Sequence, residues 1–150
     1  MDKAITLGFA GFNSASSANI SPQSADGGVS GTMTVTGQVD QGTSANKGMR
    51  LLDALSSYSD DGKVTYNTDS NALPALTINL KGIPTGTLDG SLNGSFAMSG
   101  ELGGQLLLAL TFAGQIESGP NNTVVRKTGT THITGTATSA AGTYAVDVTR

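Results

Sequence analysis

The chain has no cysteine and no tryptophan among its 150 residues. The first absence excludes disulfides, thiolate nucleophiles and thiolate metal centres. The second removes the broadest aromatic platform a sugar ring could stack on. Aromatic residues make up only 5% and charged residues only 13%, where soluble domains average roughly a quarter charged. The net charge is -3 and the isoelectric point near 4.8. No basic patch draws nucleic acid to such a surface. No apolar run approaches the roughly 18 residues of a membrane-spanning helix. The opening "MDKAITLGFAGFNSASSAN" lacks the long apolar core of a secretory leader.

Catalytic signatures are missing as well. There is no Gly-x-Ser-x-Gly elbow, no phosphate loop ending in Gly-Lys-Ser/Thr and no Gly-x-Gly-x-x-Gly turn. His132 is the only histidine, so no multi-histidine metal site exists. Strand alternation sets it on a polar, outward face with Thr130, Thr134 and Thr136. Paired acids for glycoside chemistry would have to come from Asp89, Glu101, Glu117 or Asp147, and spacing does not select among them. The chain is therefore read as a non-enzyme with no cofactor.

What is present is period two. Residues 29–41 place Met33, Val35 and Val39 on one side, against Thr32, Thr34, Thr36 and Gln38. Residues 73–82 align Leu76, Ile78 and Leu80, with Pro74 near the start, where a missing donor is tolerated. Further strands are expected at 63–68, 86–98, 104–118, 123–129, 131–139 and 142–150. Residues 48–60 fit either a strand face (Met49, Leu51, Leu55) or helical spacing, and the surrounding period favours a strand. The stretch "KAITLGFAGF", residues 3–12, alternates Ile5, Leu7 and Phe9 and also reads as a strand. Residues 13–28 read as a flexible connector. The expectation is one all-β domain over 1–150, an antiparallel sandwich or strongly coiled small barrel of eight to ten strands.

Glycines recur on the expected core face. Gly86, Gly90 and Gly94 alternate there with Leu88, Leu92 and Phe96, while Gly37, Gly114 and Gly135 sit on the apolar faces of their own strands. Inward glycines let walls approach or a sheet coil sharply. Expected core positions include Met33, Val35, Leu76, Ile78, Leu88, Leu92, Phe96, Leu108, Leu110, Phe112, Ile133, Val146 and Val148.

Two features point to contacts with other chains. In residues 104–113, Leu106, Leu108, Leu110 and Phe112 make one face, and Leu107, Ala109 and Ala113 make the other. A strand apolar on both faces wants cover on both sides. The N-terminal segment 1–12, on its loose tether, is expected to add to an edge, either of its own sheet or of a neighbouring copy. Ile5, Leu7, Phe9, Leu107 and Ala109 are thus the expected interaction residues. The functional expectation is an extracellular or cell-surface β-domain, its leader absent from this chain, acting through contacts with itself or another protein. Filament formation by strand addition is one form of this. The alternative is a small barrel binding an apolar ligand or a carbohydrate, with Tyr58, Tyr66 and Tyr144 as the amphipathic aromatics. Asp53, Asp60, Asp61 and Asp69 offer the oxygen ligands Ca²⁺ prefers, though turns also attract aspartate for local hydrogen bonds.

Overall fold

A computed structural model describes residues 1–40 and 42–150. The expected strand 29–41 runs to Gln41, which lies outside the described residues. Among those described, one helix, α1 (Asp2–Ser14), precedes ten strands. These are β1 (Asn19–Asp26), β2 (Ser30–Val39), β3 (Asn46–Ser59), β4 (Val64–Asn67) and β5 (Ala75–Lys81). After them come β6 (Thr87–Gly100), β7 (Gly104–Ser118), β8 (Val124–Arg126), β9 (His132–Ser139) and β10 (Gly142–Thr149). The main sheet runs β1-β2-β3-β4-β6-β7-β9-β10, with β5 set between β3 and β6 and β8 paired to β7. Every pairing is antiparallel. The all-β, antiparallel expectation holds, and residues 48–60 are strand throughout all but their final position.

Strand alternation builds one continuous apolar face. A single row crosses the sheet from Val146 through Gly135, Leu110, Leu92, Leu76 and Leu51 to Gly37. The opposite face carries hydroxyls that bond across strands: Ser24 to Thr34 at 2.8 Å, Thr77 to Ser91 at 3.0 Å, Thr111 to Thr134 at 3.2 Å. Two of the inward glycines mark close approach. A side chain at Gly90 would enter the Phe112 ring, and one at Gly94 would stand 2.5 Å from Pro74 Cβ.

Two expectations are corrected. Residues 3–12 are not a strand: they form the middle of α1. Their apolar residues fit both periods. Ala4, Ile5, Gly8, Phe9 and Phe12 make a helical stripe, and burial decides between the readings. Ile5 is fully buried, and Ala4, Leu7 and Phe9 join it in the core. Gly8 and Gly11 lower helix propensity by about 1 kcal/mol each relative to alanine, but they let the helix lie close. A side chain at Gly8 would come within 2.9 Å of both Ile78 and Leu51. Nor are residues 13–28 merely a connector, because Asn19–Asp26 is β1. Ile20 is its one fully buried hydrophobic residue, so hydrophobic period gives little sign of it. The strand exists through its backbone pairing with β2 and through polar links such as Gln38 to Asn19 at 3.1 Å.

Helix α1 covers only part of the apolar face. It packs on β1, β2, β3 and β5. On its other flank it is tied to β8. Arg126 pairs with Asp2 at 2.7 Å and bonds Thr6 at 3.0 Å. The Asn13 amide both donates to and accepts from the Val124 backbone at 2.9 Å. Beyond this cover, Leu106, Leu108, Val146 and Val148 are only half-buried and Tyr144 is 57% exposed.

Candidate functional site

Two places concentrate unmet interactions: the β10 edge and a cavity under the start of α1.

The β9–β10 pair keeps one register along its whole length, with no bulge. Arg150 and Thr131 exchange both backbone hydrogen bonds. Alternation along an antiparallel ladder then turns the N–H and C=O groups of Thr143, Ala145, Asp147 and Thr149 away from β9. Among the described residues no strand pairs with that side. The inner face of β10 adds Tyr144, Val146 and Val148 to the uncovered surface. Its outer face carries Asp147, whose carboxylate accepts from His132 Nε2 at 2.7 Å in an exposed pair. His132 therefore stands on the outward face, as its alternation with the threonines implies.

The cavity has a volume of about 250 Å³. Met1 borders it from above, and Leu55, Leu92, Phe96, Leu106 and Leu108 supply apolar wall from the sheet. Asp53 also lines it, on the inner face of β3 between Leu51 and Leu55. It is 1% exposed, and its Oδ1 has no hydrogen-bond partner. Burial pushes its carboxyl up to about 6, and the positive α-amino group of Met1 offsets part of that rise. Burial holds that amino group below its ordinary value in turn. The two do not come within the 4.0 Å of an ion pair. Asp60, also at the cavity, is engaged: it accepts from Tyr58 at 2.7 Å, from the Gly28 N–H at 3.0 Å and from Lys3 at 3.2 Å. The Tyr58 bond, then the Gly28 and Lys3 bonds, hold its carboxyl below the usual value.

The four aspartates of the 48–69 region diverge. Asp53 points inward. Asp61 accepts the Lys63 N–H at 2.8 Å and Asp69 the Asn71 N–H at 2.9 Å, both ordinary turn bonds. Among the described residues no group of three or more acidic or histidine side chains is placed to hold a metal ion. Tyr58 and Tyr66 are register partners facing the cavity, and Tyr144 lies on distant β10. They share no platform.

The expected interaction residues separate into two groups. Ile5, Leu7 and Phe9 are buried within the chain's own core, so they offer no strand for exchange. Leu107 and Ala109 are exposed on the outward face, Leu107 at 53%. They lie beside Ser95 and Asn93 on one flank and Thr138 and Thr136 on the other. By sequence, Asp53 groups with three other aspartates rather than with the core, and the β10 edge is not identified. For Asp53 a signal exists: Met49, Leu51 and Leu55 share one strand face, and residue 53 falls on it. The chain matches no protein-family model, no curated protein and no solved structure. Among the described residues no helix is long and apolar enough to cross a membrane.

Proposed function

We propose that the protein is a non-catalytic β-domain, exported or displayed at a cell surface, that works through protein contacts, and that its contact is the β10 edge joined to the same edge of a second copy. The observation that carries this reading is one continuous surface: an unguarded ladder edge beside an uncovered apolar face. Exposed edges of this kind are templates for strand addition. The low charge of the chain, 13%, is the support for export.

A second copy fits for a geometric reason. In a two-fold antiparallel pair, residues whose N–H groups point outward must face one another. With Val146 opposite Val146 of the second copy, Thr143 meets Thr149 and Ala145 meets Asp147. Every outward donor and acceptor then finds a partner, and the two Asp147 side chains stay apart. Tyr144 comes to lie opposite Val148 on the inner face, extending the apolar surface across the junction. The β1 edge is unlike the β10 edge, so a closed pair is favoured over a head-to-tail filament.

The absence of cysteine makes the test direct. A Val146→Cys variant places one thiol per chain at a non-hydrogen-bonded position, where facing Cα atoms lie about 4.5 Å apart, within disulfide reach. Mild oxidation is expected to give a covalent dimer. Ala145→Pro deletes one outward N–H in each copy without touching the ladder to β9. It is expected to weaken association about tenfold, read by light scattering across a dilution series, with an unchanged circular dichroism spectrum. A monodisperse monomer at all concentrations, with no Val146→Cys crosslink, would refute the proposal.

A further inference from the structure

The cavity beneath α1 is a site with chemistry of its own, separate from the β10 edge. Its walls are aliphatic and aromatic, yet one wall residue is a carboxylate with an orphan oxygen. A buried carboxylate without donors costs several kcal/mol of lost solvation. Folds keep such groups paired, hydrated or engaged by a ligand. The Asp53 backbone N–H donates to the Pro74 carbonyl at 3.0 Å, while the side-chain Oδ1 has no hydrogen-bond partner. Among the described residues nothing donates to it.

We propose that this cavity binds a small amphiphilic amine, its apolar body against Leu92, Phe96 and Leu108 and its ammonium group donating to Asp53. The volume, about 250 Å³, lies just below the range of roughly 300–1,000 Å³ for drug-sized ligands. That size suits a short alkyl or aryl amine, or the amine end of a longer molecule. The other charged and titratable groups around the cavity do not serve as donor. Asp60 and Lys3 are bonded to each other at 3.2 Å. Tyr58 donates to Asp60, and the Met1 amino group stays outside ion-pair distance of Asp53. Tyr66 lies at the rim, half-buried. An incoming ammonium supplies the missing donor. A carboxylate of the same size meets Asp53 with like charge, and an alcohol brings a neutral hydrogen bond in place of a charged one.

Hexylamine, hexanol and hexanoate distinguish these outcomes when titrated into the full chain at pH 7.5, followed by amide chemical shifts in NMR spectra. Saturable shifts at cavity residues are expected with hexylamine, about tenfold or more tighter than with hexanol, and none with hexanoate. Asp53→Asn is expected to bring amine and alcohol within about twofold of each other. Leu108→Trp, which fills the half-buried end of the cavity, is expected to abolish both, and it keeps the test decisive should Asp53→Asn fail to fold. Equal affinity for amine and alcohol overturns the proposal. So does an amine preference that survives Asp53→Asn, or a cavity that shows hydration only, with no saturable shift.

Discussion

The two ends of the sheet solve the same problem in opposite ways. At the β1 end, the edge strand carries Pro22 and a register shift between Ile20 and Gln23. Both are devices that spoil an edge for pairing. Helix α1 lies over that end, and Ile5, Phe9 and Ile20 are buried together. At the β10 end there is no proline, no bulge and no lysine. No helix covers it, and Tyr144 stands 57% exposed. One sheet thus has a finished end and an open one. A chain that guards one edge with two separate devices has the means to guard both. That contrast gives the open edge its weight.

The largest break in the contrast should come from removing the cover. Ile5→Ala is expected to cost roughly 2–5 kcal/mol, the range for truncating a fully buried aliphatic side chain. Val146→Ala, at the half-buried end, should cost about 1 kcal/mol or less. Urea midpoints at equal slope measure both, and equal losses would mean that the two ends are alike. Next comes the middle of the sheet. Gly94→Val must displace Pro74 and should cost roughly 1–3 kcal/mol, the range for overpacking. Gly103→Val, where an added Cβ meets nothing within 4 Å, should stay within about 0.5 kcal/mol.

A smaller, pH-dependent effect belongs to Asp53, where cover gives way to open face. Its carboxyl lies near 6 in the folded state against an ordinary 3.8. As pH rises from 4 to 6 the unfolded chain releases this proton first, so the fold loses stability across that window. Asp53→Asn removes the loss. Relative to the parent, its unfolding free energy should climb between pH 4 and pH 7 by on the order of 2 kcal/mol. A pH-independent difference would show that Asp53 is solvated. The smallest stability effect is expected at the edge itself. Ala145→Pro should leave unfolding within about 0.5 kcal/mol, measured at a concentration where the chain is monomeric. Pro22→Ala should leave association unchanged, because the register shift still bends β1.

How much of this was legible depended on whether burial and period agreed. In β2 and β5 they do: Met33 with Val35, and Leu76 with Ile78 and Leu80, are buried at alternate positions, and alternation alone finds them. In residues 3–12 one set of apolar residues satisfies both periods. The deciding fact is a wide apolar sheet face that needs a roof, which no local pattern contains. β1 was invisible because Ile20 is its only fully buried hydrophobic residue. Leu108, Val146 and Val148 were rightly placed on the core face yet are only half-buried, because the helix ends before it reaches them. Sequence proximity groups Asp53 with Asp60, Asp61 and Asp69, as oxygen ligands for Ca²⁺ or as turn residues. Its position between Leu51 and Leu55 on the inward face was the physical clue.

The two-way bond between the Asn13 amide and Val124 has a consequence in time. Those residues are 111 apart in sequence. A ribosome delivers residues 2–14 well before the surfaces that receive them: β5 ends at Lys81, and β8 begins at Val124. An isolated segment of 13 residues with two interior glycines is too short and too weak to hold a helix in water. The opening segment must therefore wait, unstructured, while most of the chain is made. Contacts so distant in sequence are slow to form. Residues 2–14 are thus among the last of the described residues to settle, and protection of the Val124 amide hydrogen, labelled in pulses during refolding, reports when they do.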